Sequence, residues 1–287
     1  MRSIVVRVLG YGAWLMTAGS VVMGALISAL WYFQRSLIFP RPRVALPIKF
    51  GEKIEVDVRS ETKPLGVGDA VVGVYFGAAS PANYTLVFFH GNADQIGNVG
   101  DVLGRELSSR LGVGFFAVEY PGYALAGKGE PTQKSMVWAA ERAVDHLVTV
   151  MGVRPDRVCA FGQSIGTAVA AELAARQKAS KLVLLSPFTS IPDMCKALFP
   201  FVPSPKLFIS DPFDTAKLAT SGLFRDTPIL ILHGVHDEIV PFAHSERLAK
   251  IIPHATFVPL TRCGHNDTFS GQSYGIFYQH LRDFLQK

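Results

Sequence analysis

The chain opens on an unbroken apolar block and then alternates between strand-like and helix-like runs. Residues 8–33 carry no charge, with Arg2 and Arg7 before them and Arg35, Arg41 and Arg43 after. At 1.5 Å of rise per residue, a helix over this stretch exceeds the roughly 20 residues that cross a hydrocarbon core. Trp14 and the Trp31-Tyr32-Phe33 cluster fit interfacial belts, where amphipathic rings settle at headgroup level. A cleaved leader ends in small residues, whereas this block ends in bulky aromatics, so a retained single span is expected. Two arginines and the amino terminus on one side face three arginines on the other, too weak an asymmetry to fix orientation. The chain reads as a single-pass protein of the plasma membrane or an endomembrane, with its body on an undetermined side.

After Pro40, Pro42 and Pro47, two alternating runs at 53–60 and 70–78 read as strands separated by a Gly-containing turn region. They are expected to form an antiparallel entry to a sheet. Continuous apolar runs of strand length then recur at 85–89, 114–119, 157–161, 181–185, 228–232 and 255–260. Such runs mark strands covered on both faces. Helical stretches lie between them: 135–151 spaces Val137, Ala140, Val144, Leu147 and Val148 by threes and fours, 164–177 is rich in Ala, and 274–285 closes the chain. This alternation predicts an α/β fold, a mostly parallel sheet with helices on both faces, whose ligands bind beyond the carboxyl ends of the strands. A Phe- and Pro-rich insert at about 187–226 breaks the alternation and offers a place for a small lid. The expected organisation is an anchor over 1–34, a connector with the first strand over 35–69, and the α/β domain over 70–287.

With 49% hydrophobic and 18% charged residues in 287, the composition is that of a globular protein. The net charge of +5 is concentrated at the start: residues 1–50 hold six Lys or Arg and no acid, leaving the rest near neutral. A near-neutral body without Lys/Arg runs among stacking aromatics excludes nucleic acid as an expected partner. Three scattered cysteines, Cys159, Cys195 and Cys263, give neither a disulfide framework nor a zinc site, and whether Cys195 and Cys263 pair is not readable from their positions. Asn83-Tyr84-Thr85 and Asn266-Asp267-Thr268 are glycosylation sequons, usable only on a lumenal or extracellular body.

Gly162-Gln163-Ser164-Ile165-Gly166 stands between a predicted strand and an Ala-rich predicted helix. In that context it matches a nucleophile elbow: a sharp turn lifts the serine above the sheet, and the helix N-terminus places partial positive charge where an oxyanion forms. A serine hydroxyl is too weakly acidic to attack unaided, so it needs an imidazole base whose tautomer a carboxylate fixes. In this architecture the partners follow the serine in the order acid, then histidine. Of the eight histidines, His90 and His146 precede Ser164, His280 lies in the final helix, and His233 ends a strand ahead of any suitable acid. His265, just past the last predicted strand, is the best-placed base. The loop after 228–232 holds the acid: Asp237 is the first choice, Glu238 the fallback, and Asp267 a weaker local partner. Two backbone N–H donors should face the developing oxyanion, one from Ile165 and one from the His90-Gly91-Asn92 loop.

With these residues the chain resembles the α/β-hydrolase superfamily, in particular a membrane-anchored serine-hydrolase branch similar to the protein depalmitoylases and the serine aminopeptidase-like hydrolases. The resemblance rests on His90-Gly91-Asn92-Ala93, Tyr120-Pro121-Gly122-Tyr123, the Ser164 pentapeptide with Thr167, Ser186-Pro187-Phe188-Thr189-Ser190-Ile191, and His233-Gly234 through Asp237 to Pro241. It implies an α/β-hydrolase fold over about 70–285, with Ser164, Asp237 and His265 as nucleophile, acid and base and Asn92 and Ile165 at the oxyanion hole. Two features depart from the pattern. Ala124-Leu125-Ala126-Gly127 replaces the usual Gly-x-Ser continuation, and an apolar span without cysteine stands where the depalmitoylases carry a Cys-rich, lipid-modified N-terminus.

The leading expectation is acyl hydrolysis through an acyl-enzyme, with esters and thioesters as the bonds and with lipids, lipidated proteins or small acylated molecules as substrates. The membrane bilayer is the expected partner. A triad and an oxyanion hole complete this chemistry, so neither a metal nor an organic cofactor is called for. The Phe-rich insert offers a wall for an acyl-chain pocket. Alternatives are a peptidase or lipase of the same fold, and a membrane-tethered binding protein without turnover.

Overall fold

The computed structural model describes residues 20–287. The flanking Arg2 and Arg7 and the expected belt residue Trp14 lie outside the described residues. The first helix, α1, described over Ser20–Ile38, is long and apolar enough to cross a membrane by length and composition. It runs past residue 33, where the apolar block ends, because Gln34 is buried against the body and Arg35 reaches Asp211 and Glu130. Pro40 then stops it, since a residue before proline is pushed out of the helical region.

Eight strands form one sheet: β1 (Glu52–Asp57), β2 (Ala70–Phe76), β3 (Thr85–Phe89), β4 (Gly114–Val118), β5 (Val158–Gln163), β6 (Lys181–Leu185), β7 (Ile229–Gly234) and β8 (Thr256–Leu260). Their order is β1-β2-β4-β3-β5-β6-β7-β8. Strand β2 is antiparallel to both neighbours, and the remaining pairs are parallel.

Because successive side chains on a strand point to opposite faces, each central strand feeds two cores. Val87 and Phe89 of β3 join one, and Leu86 and Phe88 join the other. The first core is closed by α3 (Gln133–Thr149), α4 (Ile165–Ala175), α6 (Thr215–Thr220) and α7 (Ala243–Ile251), and the second by α2 (Asp101–Leu111) and α8 (Gly271–Gln286). Phe88 sits 4.9 Å from Phe161, which in turn stacks on Phe277 of α8. Each such fully buried ring contributes about 1.5–3 kcal/mol relative to exposure.

Local chemistry sets the element ends. Thr132 caps α3, accepting from the Ser135 N–H while the Ser135 hydroxyl accepts from the Thr132 N–H. Asp101, at the start of α2, is buried and its carboxylate accepts from the Lys49, Phe50 and Gly51 amides, which staples the proline connector to the domain. The insert between β6 and β7 has two parts. Helix α5 (Ile191–Leu198) and the loop after it stand over the sheet's carboxyl edge, whereas α6 and Phe213 pack into the core as an ordinary crossover.

Candidate active site

The Ser164 turn is built from close backbone approaches. A Cβ on Gly162 would collide with the Gly166 carbonyl, and one on Gly166 with the carbonyl of Phe89, so neither position admits a side chain. Between them Ser164 adopts φ 52° and ψ −120°, a backbone that L-residues rarely occupy. The turn is held by Ser164 N–H donating to Leu185 O at 2.9 Å, and by the Thr167 hydroxyl donating to Ser164 O at 2.6 Å. The serine is thus fixed at the end of β5 and directly ahead of α4.

His265 and Asp237 meet across the loops after β8 and β7, with His265 Nδ1 at 2.7 Å from Asp237 Oδ2. Asp237 is itself braced: its Oδ1 accepts from the Ile239 and Val240 amides at 2.9 and 2.7 Å. His233 Nε2 lies 3.1 Å from the same Oδ2, and both of these side chains are fully buried. Burial works against the charged carboxyl, but hydrogen bonds from His233 and His265, the His265 charge and the Val240 amide outweigh it and hold Asp237 well below its ordinary value. With a carboxylate on Nδ1, the neutral His265 ring carries its proton there and leaves Nε2 as the acceptor. Among the described residues the Ser164 hydroxyl and His265 make no direct hydrogen bond.

The two weaker acid candidates stand elsewhere in the same loops. Glu238 Oε2 accepts from the His265 backbone amide at 3.4 Å, and Asp267 Oδ2 from the Gly264 amide at 3.0 Å. Both shape the backbone around the imidazole, and neither approaches Nδ1. Of the other histidines, His90 is buried against Glu119 at 2.9 Å, His244 bonds Thr189, and His236 and His254 are exposed.

Asn92 and Ile165 border one cavity with Ser164, of about 300 Å³. Among the described residues neither of their backbone N–H groups has a hydrogen-bond partner. The Asn92 side chain is occupied: Nδ2 donates to Ile38 O at 2.5 Å, and Oδ1 accepts from the Tyr123 hydroxyl at 3.0 Å. Burial pushes that hydroxyl well above its usual range, so it stays a neutral donor. The Ala124–Ala126 departure forms a short 3₁₀ turn behind Tyr123 and leaves this contact intact.

The family model described as the alpha/beta hydrolase family matches residues 86–229. A human relative, alpha/beta hydrolase domain-containing protein 17B, is 33% identical over 223 residues, 77% of this chain and 72% of that protein. The chain belongs to the alpha/beta hydrolase family. Alpha/beta hydrolase domain-containing protein 17C of Xenopus laevis is 32% identical over 218 residues, 75% of this chain and 65% of its own. Among solved structures, an esterase of Pyrococcus furiosus superposes with a TM-score of 0.64 at 16% identity, covering 86% of this chain and 96% of that one. A puromycin-hydrolyzing peptidase of Mycobacterium tuberculosis gives 0.62 at 17% identity, covering 80% of this chain and 38% of that one. These structural likenesses show the fold.

Two features of this hydrolase were not legible as parts of the site. His233 precedes Asp237 in the chain, yet it touches that carboxylate; the four-residue spacing between them is the signal that points to it. Leu30, Gln34, Leu37 and Ile38 of α1 border the cavity, although the sequence suggested only anchoring for that helix. Cys159, Cys195 and Cys263 are free thiols, and Cys195 also faces the cavity. Among the described residues no group of three or more His, Cys, Asp or Glu side chains is arranged to hold a metal ion.

Proposed function

We propose that this chain is a membrane-anchored serine hydrolase that cleaves acyl ester or thioester bonds of lipids or lipidated proteins. The observation that carries the reading is the 2.7 Å contact of His265 Nδ1 with Asp237, on loops at the same carboxyl edge of the sheet as a strained Ser164 with two unpartnered amides beside it. His265 Nε2 takes the Ser164 proton as Oγ attacks the acyl carbonyl. The oxyanion is received by the Asn92 and Ile165 N–H groups, an interaction whose loss costs about 10²–10³ in rate. Collapse expels the alcohol or thiol, which leaves with the proton from His265 and an acyl group on Ser164. Water, deprotonated by the same imidazole, then attacks that ester and releases the acid and the serine.

The choice of bond rests on the cavity, which is apolar beyond its floor, and on the resemblance to depalmitoylases. The choice of a membrane rests on α1, whose exposed Trp31, Tyr32 and Phe33 suit an interface. The test is labelling of the full chain by a fluorophosphonate, which needs an activated serine and presumes no substrate. Labelling is expected in wild type, absent in Ser164→Ala and strongly reduced in Asp237→Asn and His265→Ala. Labelling of wild type and Ser164→Ala at equal rates would place the reactive group elsewhere. Faster turnover of peptide amides than of acyl esters would move the reading to a peptidase.

A further inference from the structure

The cavity beside Ser164 is walled on one side by the helix that leads to the membrane. Gln34 follows Leu30 by four residues, and Leu37 and Ile38 follow Gln34 by three and four, so the four share one face of α1. Opposite them, Ile191, Met194 and Leu198 repeat at three and four on one face of α5. Apart from Cys195, the polar groups at the cavity are confined to its floor, Ser164 and Asn92, and to Gln34. Gln34 is already committed to backbone, with Nε2 donating to Phe208 O at 3.2 Å and Oε1 accepting from Ser210 N–H at 2.8 Å. What remains between the two helices is a slot of apolar surface that begins at the nucleophile.

The wall is fixed in place. Gln34 ties α1 to the loop after α5, Asn92 ties the end of α1 to the loop beside Ser164, and Phe39 is buried 6.2 Å from Phe213. Trp31, Tyr32 and Phe33 follow Leu30 directly and are exposed. With those rings at headgroup level, Leu30 stands at the depth where acyl chains begin, and Gln34, Leu37 and Ile38 carry the wall away from the bilayer toward Ser164. Leu198 and Phe199, which line the slot, are exposed as well, as are Phe201 and Leu207 elsewhere on the insert.

We infer that the end of α1 is an acyl-chain subsite: the chain attached to the scissile carbonyl runs from Ser164 between Leu30 and Leu37 of α1 and Met194 and Leu198 of α5. This rests on the acyl-hydrolase reading above. The anchor helix then selects substrate as well as tethering the enzyme, and the preferred ligand is a long unbranched acyl chain, whether on a glycerolipid or on a protein cysteine.

The experiment compares butyryl and palmitoyl p-nitrophenyl esters on the full chain in nanodiscs, using wild type, Leu30→Trp, Leu37→Trp, Leu30→Ala and Leu37→Ala. The readout is the palmitoyl-to-butyryl ratio of kcat/KM, in which a general loss of folded enzyme cancels. In at least one Trp variant the ratio is expected to fall about tenfold or more, since a filled apolar pocket discriminates at that level. Ratios within twofold of wild type in every active variant would overturn the inference. Should both Trp variants be inactive, the Ala pair decides by the same ratio. A wild type that fluorophosphonate does not label would sink the hydrolase reading itself, a separate failure. Palmitoyl glycerol and an S-palmitoyl cysteine peptide, run as further arms, identify the source of the chain.

Discussion

His233 Nε2 lies 3.1 Å from the Asp237 Oδ2 that also meets His265 Nδ1, so one carboxylate oxygen sits between two imidazoles. The outer ring is anchored independently, with Nδ1 2.6 Å from the Ser245 hydroxyl and Nε2 3.0 Å from Val240 O. On the proposed mechanism His233 is a positioning residue that acts through Asp237. Replacing it with Phe removes a charge-assisted hydrogen bond from a buried acid, a loss of about 1.5–3 kcal/mol. His233→Phe is expected to lower the urea unfolding free energy by that amount and to shift the acid limb of the activity–pH profile. An unshifted profile with reduced stability would reduce His233 to a packing role.

The depressed Asp237 carboxyl makes stability depend on pH in one direction. Its ordinary value is 3.8 and its folded value lies well below, so the folded state favours the charged form. The stability this adds is complete above the ordinary value and is lost as pH falls toward the folded one. Asp237→Asn removes the titrating group. The stability gap between wild type and Asp237→Asn is expected to be constant from pH 7 to 5 and to shrink below about pH 4. Urea midpoints across that range measure it, and a gap that widened on acidification would contradict the assignment. At neutral pH the same variant should retain its fold and lose about 10⁴ in turnover, because the amide no longer holds the productive tautomer.

The parallel strands were legible because a strand covered on both faces must be apolar at every position, and β3 and β6 start and stop where their runs do. The sequence pattern does not announce helices α2, α5, α6 and α7. They are short and half-exposed; in α2 a glycine and a serine pair break the apolar stripe, and in α5 Pro192 and exposed apolar residues blur it. At the site, the glycines of the Ser164 turn announce themselves because no other residue fits there. The sequence leaves the partner of His265 open, since Asp237, Glu238 and Asp267 all lie within the loops that touch it and only the turn decides which reaches Nδ1. The α1 wall left no sequence trace, because a helix apolar all round does not distinguish a cavity-facing leucine from any other.

Gly166→Ala tests the elbow without touching a reactive side chain. The added methyl meets the Phe89 carbonyl, and β3 cannot retreat because β4 and β5 flank it on both sides. Overpacking of this kind costs about 1–3 kcal/mol. The strain is expected to displace the Ile165 amide, so fluorophosphonate labelling should slow more than the fraction folded declines. Labelling that tracks the folded fraction would show that the elbow absorbs the methyl elsewhere.

Gln34 offers the last test, because its two bonds to the insert differ from ordinary helix contacts in spanning 174 and 176 residues of sequence. Gln34→Leu keeps the size and the apolar character of the α1 face while removing both bonds. The Ser210 amide and the Phe208 carbonyl lose their partners, and each bond is worth about 0.5–1.5 kcal/mol. That energy is local: it holds the loop of 205–212 to α1, whereas the sheet is stabilised by cores that Gln34 does not enter. Hydrogen exchange should therefore accelerate about tenfold at Ser210 and its neighbours and stay unchanged across β3 and β5. Unchanged protection at Ser210 would mean that Phe39 against Phe213 and the Arg35 pairings suffice to seat the helix.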